Sequence, residues 1–257
     1  MAKRVLVLQS YKPPPWAEWR CLCINSVQEW AATKSYAYRF IGDELFAPIP
    51  EQLMSKCQGV LLPLTDIGRL LWLQKLLIEG WDRVIWLDAD ILIFDPSLDI
   101  GADVVGREVW VSKGLQDGFR AASSVNNCVV SVTKESRLLD ELLNATLTEA
   151  KKFSDPPHPR ALGPDLLRRL DVEASLAVAP DIAMASPILV NALACNDPAP
   201  LSAHHSVWDG PVRAVNLCGS LVKDEDTALK AVISLLETPT RFSPRDKAPA
   251  VEIVHFA

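Results

Sequence analysis

The stretch Trp81-Asp82-Arg83-Val84-Ile85-Trp86-Leu87-Asp88-Ala89-Asp90-Ile91-Leu92-Ile93-Phe94 sets two carboxylates, Asp88 and Asp90, inside an otherwise apolar run. A short run rich in Ile, Val and aromatic residues is typical of a buried strand. Residues i and i+2 of a strand point to the same side, so we expect both carboxylates to lie together at a cleft where the strand ends. An ionised carboxylate buried there needs a partner or a cation. Two such charges suggest a divalent metal between them; the alternative is a pair of solvated turn aspartates.

The elements before this stretch predict a largely parallel α/β sheet. Residues 5–8 form a compact apolar run, and the polar loop Gln9-Ser10-Tyr11 follows it, a common place for ligand contacts in open α/β sheets. Residues 65–79 have a broad leucine face typical of a helix, with Thr65 as the expected N-cap and Gly80 as the stop. A helix that leads into a buried strand is the βαβ rhythm of a mostly parallel sheet.

The sequence predicts further strands and helices elsewhere in the chain. We expect strands over 36–40, 102–106 and 125–132, and helices over 22–34, 134–152, 163–170 and 226–237. The small and polar residues of 114–124 suggest a mobile loop, with 114–122 as a candidate lid. The chain between 174 and 226 is expected to be irregular.

Composition limits the classes of protein to consider. The chain has 257 residues, of which 49% are hydrophobic, and this favours one large α/β domain over 1–257. A formal net charge of −6 offers no support for nucleic-acid binding. To bind an anionic substrate, such an acidic protein would need a local positive charge from a metal ion or an arginine.

The sequence also indicates where in the cell the protein is expected to be. The apolar run after Lys3-Arg4 is too short for a secretory signal, and no segment approaches the roughly 20 apolar residues of a membrane span. The six cysteines show neither a CxxC pair nor zinc-ligand spacing, which favours reduced thiols. We therefore expect a cytoplasmic protein without a transmembrane segment.

Three motifs in order carry a resemblance to a known group of enzymes. They are Thr65-Asp66-Ile67-Gly68-Arg69-Leu70, Trp86-Leu87-Asp88-Ala89-Asp90 and Asn126-Asn127-Cys128. Together they resemble the metal-dependent nucleotide-sugar glycosyltransferases with the A-type (GT-A) fold, in families 8 (glycogenin-like), 32 (mannosyltransferase-like) and 34. The resemblance covers roughly residues 5–170, and Cys128 departs from it at a position where those families place a small residue.

This resemblance implies both a fold and a reaction. The fold is a single-domain, Rossmann-like GT-A α/β fold, with a nucleotide-sugar part at about 1–110 and an acceptor-side part at about 111–257. The reaction is transfer of a sugar from a UDP- or GDP-sugar to a carbohydrate or other hydroxyl acceptor, dependent on Mn²⁺ or Mg²⁺ and of the retaining type.

The resemblance also implies roles for individual residues. Asp165 and Asn127 would act at the reacting sugar. The nucleotide sugar would contact Gln9, Ser10, Tyr11, Asp66, Arg69, Asp88, Ala89, Asp90 and Asn126.

The metal would bind Asp88, Asp90 and a third residue near the C-terminus. Ala203-His204-His205-Ser206-Val207-Trp208 resembles the family 32 ending and favours His205, with His204 as the neighbouring choice. Val215-Asn216-Leu217-Cys218-Gly219 resembles the family 8 ending, with Asn216 where histidine is usual, so the third ligand stays open among these residues.

Two other functions compete with the transferase. A haloacid-dehalogenase-like phosphohydrolase also uses a hydrophobic strand ending in D-x-D, but its nucleophile usually lies on the first strand. A degenerate transferase fold that binds carbohydrate without catalysis is the non-enzymatic alternative, and the departures at Cys128 and Asn216 keep it open.

Overall fold

The computed structural model describes residues 3–114 and 118–239. Its strands are β1 (Val5–Ser10), β2 (Ala37–Ile41), β3 (Arg83–Leu87), β4 (Ile91–Ile93), β5 (Val104–Lys113), β6 (Phe119–Thr133), β7 (Val178–Ala179), β8 (Ile182–Met184) and β9 (Ala214–Asn216). Its helices are α1 (Glu18–Thr33), α2 (Glu51–Lys56), α3 (Leu61–Ile78), α4 (Arg137–Lys151), α5 (Pro164–Ala174), α6 (Pro187–Cys195), α7 (Pro198–His205) and α8 (Glu225–Glu237), with a 3₁₀ turn at Asp43–Phe46.

The main sheet is mixed and mostly parallel. Its strand order is β2-β1-β3-β6-β5-β7. The pairs β1/β2, β1/β3 and β5/β7 are parallel, whereas β6 runs antiparallel to both β3 and β5. A small second sheet has the order β4-β9-β8. The predicted α/β class with a mostly parallel sheet is therefore confirmed; the division of the chain near residue 110 stays a prediction.

Strand β3 is buried from both sides, which explains its nearly continuous apolar sequence. Val84 and Trp86 pack in a core cluster with leucines of α3 and α4. Ile85 and Leu87 point to the other face and pack with Val27 of α1. Helices therefore flank the sheet on both faces, as parallel strands require.

Two predicted boundaries of this region are wrong. Helix α3 begins at Leu61, so Thr65 is an interior residue whose hydroxyl donates to the Leu61 carbonyl (3.0 Å) rather than an N-cap. The apolar run that contains the aspartates is two strands, since β3 ends at Leu87 and β4 joins the second sheet. Gly80 follows the helix with φ of 105°, a conformation that glycine adopts without strain.

The C-terminal part is more regular than the sequence predicts. The expected irregular region holds α6, α7 and strands β7 to β9, and the last helix begins at Glu225. These elements are too short to show a clear hydrophobic period. Pro187 and Pro198 open α6 and α7, a position in which proline suits a helix.

The predicted mobile loop at 114–124 is mostly strand. Strand β6 begins at Phe119, and the Gly114 amide donates to the Gly118 carbonyl (2.8 Å) across the hairpin end. Residues 115–117 of the candidate lid lie outside the described residues. Across the described ranges, no helix combines the length and apolar content needed to cross a membrane.

His204 on α7 is part of the core rather than the surface. Its ring is fully buried and stacks on Trp208 at 5.1 Å, while the Arg107 guanidinium lies 4.6 Å from the centre of the Trp208 ring. Burial lowers the pKa of His204 from 6.5 to about 3, and the nearby His205 and Arg107 add to the effect. His204 is therefore neutral in the folded protein.

We predict that His204 makes the fold acid-sensitive. Between pH 6.5 and pH 3 the unfolded chain binds a proton at this residue and the folded chain does not, so the free energy of unfolding falls as pH falls. Compared with His204→Phe, wild type should lose up to about 1.4 kcal/mol per pH unit in this range. Urea unfolding of both proteins measures the difference, and a difference independent of pH contradicts the prediction.

Candidate active site

Asp88 and Asp90 lie in the turn between β3 and β4, at the edge where the parallel strands β1 and β3 end. Ligands of open α/β sheets bind at this edge. The Asp88 amide donates to the Cys128 carbonyl of β6 (2.9 Å), and fully buried Gln9 donates to the Asp88 carbonyl (3.1 Å). Gln9 also accepts a hydrogen bond from the Tyr38 hydroxyl (3.0 Å). Gln9 thus links the backbone of the aspartate turn to Tyr38 on the neighbouring strand β2.

The Asp88 carboxylate is held by one cation and one indole. Its Oδ1 accepts from Arg69 Nη2 (3.0 Å) and from Trp86 Nε1 (2.7 Å). The Arg69 guanidinium also lies 4.8 Å from the centre of the Trp86 ring. Burial raises the pKa of Asp88 to about 6 against the opposing charge of Arg69, and the charge of Asp90 raises it further. The charge of Asp90 is therefore close enough to disfavour the ionised form of Asp88.

The Asp90 carboxylate is held from the C-terminal segment. Asn216 Nδ2 donates to Oδ1 (2.8 Å) and the Gly219 amide donates to Oδ2 (2.5 Å). A Cβ at Gly219 would lie 2.8 Å from Asp90 Oδ2 and would clash with the Arg20 guanidinium. Arg20 therefore lies against the same loop.

Arg20 is a site residue that the sequence patterns do not predict. Its guanidinium stacks between Tyr11 (4.1 Å) and Trp19 (4.2 Å), and its charge helps to lower the pKa of Asp88. Tyr11, which the resemblance placed at the nucleotide, thus borders the site through Arg20, and Ser10 ends β1 beside it. No motif signals Arg20, because only the packing of α1 brings it to the loop.

Asp66 and Asn127 form a second polar pair next to Asp88. Asn127 Nδ2 donates to Asp66 Oδ1 (2.7 Å), and Arg69 donates to the Asn127 carbonyl. Burial raises the pKa of Asp66 to about 7, although Arg69 and the Asn127 bond oppose the rise. Gly163 packs directly on the pair, since a Cβ there would lie 2.7 Å from Asp66 Oδ2.

An open cavity of about 330 Å³ unites these groups. Its polar wall is formed by Asp66, Arg69, Asp88, Asp90, Asn126, Asn127, His158, Arg160 and Asn216. Six of the residues predicted to contact the donor or the reacting sugar thus share one cavity, and Asn216, a candidate for the third metal ligand, lies there too. Ala89, between the aspartates, is buried.

Asn126 and Asp165, whose expected roles stay predictions, are both engaged by neighbouring side chains of the protein. Buried Asn126 donates to Glu108 Oε2 (3.1 Å) and accepts from the Cys128 amide (2.7 Å), so both ends of its amide are used within the protein. Asp165 is not among the described residues that line the cavity. Its carboxylate pairs with Arg160 (3.2 Å) and Arg168 (3.8 Å) instead.

The structure does not bring His205 to the aspartates. His205 ends α7, and its ring lies edge-on to that of His204. Within the described ranges no group of three His, Cys, Asp or Glu residues gathers to hold a metal. Of the three open candidates for a third ligand, Asn216 is the one that lies in the cavity.

The donor set suits a hard divalent cation. Mg²⁺ and Mn²⁺ prefer oxygen ligands and commonly use one or two carboxylates together with substrate phosphates. Both hydrogen bonds described for the Asp88 side chain fall on Oδ1, which leaves Oδ2 for a ligand. The Asn216 amide oxygen already accepts from the Cys218 amide (2.7 Å). The carboxylates of Asp88 and Asp90 are therefore the oxygen groups that would suit a cation here.

We predict that Gly163→Ala destabilises the protein by about 1–3 kcal/mol, because its Cβ would overlap the Asp66–Asn127 pair. Gly210→Ala is the matched control, since a Cβ at Gly210 has no heavy atom within 4 Å among the described residues. The control should change stability by no more than about 0.5 kcal/mol. Urea unfolding measures both, and equal midpoints for the two variants contradict the predicted contact.

Comparison with known proteins finds similarity only among solved structures. No protein-family model and no curated protein matches the sequence. A glycosyltransferase involved in the glycosylation of the major capsid of PBCV-1 is similar with a TM-score of 0.46 at 10% identity, covering 90% of this chain and 99% of that one. Mouse xyloside xylosyltransferase 1, in its apo form, is similar with a TM-score of 0.39 at 12% identity, covering 86% and 99%. These values identify no family for the chain.

Proposed function

We propose that this protein is a glycosyltransferase that moves a sugar from a nucleotide diphosphate sugar to a hydroxyl acceptor. The observation that supports it most directly is the shared cavity of Asp88, Asp90, Arg69, Asp66 and Asn127 at the carboxyl edge of the sheet. This arrangement combines a place for a cation and a diphosphate with polar groups suited to a sugar.

Asp88 and Asp90 would hold Mn²⁺ or Mg²⁺, with Asn216 beside them, whereas His205 is not among the described residues that line the cavity. When bound, the cation would neutralise charge that builds on the departing diphosphate. The Arg69 and Arg20 guanidinium groups add fixed positive charge next to the carboxylates. This local charge would let an acidic protein bind an anionic donor.

Asp66 and Asn127 would orient the donor sugar. The Asn127 side-chain amide donates to buried Asp66, and an amide of this kind can also accept a hydrogen bond from a sugar hydroxyl. Because Asp165 is paired with Arg160 and Arg168, we assign the carboxylate beside the reacting sugar to Asp66. Holding the sugar in one orientation is a positioning contribution to the rate.

We predict that Asp90→Asn lowers the metal-dependent release of nucleotide from UDP- or GDP-sugars by at least about 100-fold, because it removes an anionic ligand of the cation. Asp99→Asn is the matched control, since Asp99 is exposed and lies outside the cavity lining. Liberated UDP or GDP is measured with Mn²⁺ and with EDTA. Substantial activity in Asp90→Asn, or no effect of EDTA on wild type, contradicts the proposal that Asp90 binds a catalytic cation.

The same assay separates the alternatives. A haloacid-dehalogenase-like phosphohydrolase would prefer phosphate monoesters to nucleotide sugars. A carbohydrate-binding module without catalysis would release no nucleotide from any donor.

We further predict that the reaction retains the anomeric configuration of the donor, as the motif resemblance implies. Proton NMR of the first product formed from an α-linked donor should show an α-linked sugar. An initial β-linked product would identify an inverting enzyme and leave the donor site intact.

A further inference from the structure

We propose that a second cavity, which adjoins the Asp88/Asp90 cavity, binds a neutral carbohydrate acceptor. This inference rests on the proposed function. The second cavity has a volume of about 560 Å³, within the range of roughly 300–1,000 Å³ typical of ligand sites. Its polar and aromatic lining includes Glu108, Trp110, Ser124, Arg160, Arg168 and Arg169.

A β-bulge turns the floor of the second cavity towards α5. The register of β5 and β6 shifts between Val105 and Gly106. Val105 packs in the cluster that contains Leu167 of α5, and Glu108, three positions later, binds Arg168 of the same helix (3.1 Å). While β5 advances from Val105 to Gly106, the partner in β6 moves from Val130 to Asn126, so the extra residues lie in β6. Regular alternation would put positions 105 and 108 on opposite faces, so at this irregularity β5 turns Glu108, and with it Trp110 two positions later, towards α5.

Gly106 is what permits this bulge. A Cβ at this position would lie 2.8 Å from the Asn126 carbonyl oxygen and 2.9 Å from Cys128 Sγ. The cavity floor is therefore built into the strand pairing that also carries Asn126 into the donor cavity. One irregularity of the sheet shapes both sites.

Trp110 supplies an aromatic surface in the second cavity. Its side chain is partly exposed there, and its strand partner is the small Ala122. The negative face of an indole ring attracts the C–H groups of a sugar ring, and the apolar area is shielded on contact. An exposed indole on a polar floor is thus suited to a pyranose.

The polar groups around Trp110 are balanced in charge. Arg168 is bound by Glu108 (3.1 Å) and by the Ser124 hydroxyl (2.9 Å), and Asp165 pairs with both Arg160 and Arg168. Arg169 lies 3.7 Å from Glu149, and Asp171 adds a further carboxylate to the lining. Paired arginines and carboxylates offer many donors and acceptors with little net charge. This composition suits a neutral polyhydroxylated ligand better than an anion.

Arg160 connects the two cavities. It lines the wall of both, and Asp165 holds it at 3.2 Å. A sugar that stacks on Trp110 therefore lies next to the wall of the donor cavity. A hydroxyl directed past Arg160 would approach the donor sugar.

A glycan array probed with labelled protein, Mn²⁺ and UDP or GDP tests the proposal. We expect wild type to bind a defined set of neutral glycans. Trp110→Ala should weaken that binding by about tenfold, and Trp110→Phe by less, because stacking is lost or only reduced. Arg169→Ala, which removes an exposed guanidinium of the cavity, should also weaken it. Arg137→Ala is the matched control, an exposed arginine on α4 outside both cavities.

A thermal shift with Mn²⁺ and UDP or GDP separates failure of the acceptor site from failure of the donor site. If this shift is present but wild type binds no neutral glycan, the acceptor proposal is wrong and the donor site stands. The acceptor proposal is equally wrong if only anionic glycans bind, or if Trp110→Ala and Arg169→Ala both bind like wild type. Absence of the shift with either nucleotide counts against the proposed function itself.

Discussion

The compensation of buried negative charge at the end of β3 is the interaction on which the rest of the site depends. Asp88 is a partly buried carboxylate beside a second one, and the buried Arg69 is its paired cation. Removing one partner of such a pair leaves an uncompensated charge, which is strongly destabilising. Arg69 also stacks on Trp86 and binds the Asn127 carbonyl, so one guanidinium joins α3, β3 and β6.

The second carboxylate ties the C-terminal segment to this centre. Asp90 is bound by Asn216 and the Gly219 amide, while β9 pairs with β4 directly after the aspartate turn. The segment that begins near β8 therefore completes the wall of the cavity. Close contacts at Gly163 and Gly219 bring two loops onto the carboxylates, and side chains larger than hydrogen would hold those loops away.

The two adjoining cavities differ in the charged groups that line them. The first concentrates carboxylates, which favours a cation and through it a diphosphate. The second pairs Arg160 and Arg168 with Asp165 and Glu108, and it contains the partly exposed Trp110. Arg160 borders both cavities.

The sequence by itself determined the α/β class, the paired aspartates and the motifs at Asp66, Arg69 and Asn127, because hydrophobic period and residue type are local properties. The tertiary structure alone decided that Asn216 rather than His205 meets Asp90, a partner 126 positions away. It also decided that Arg20 joins the site and that Asp165 is drawn into ion pairs. The physical reason is that such contacts depend on how short, weakly patterned elements pack back onto the sheet, and no local pattern records that packing.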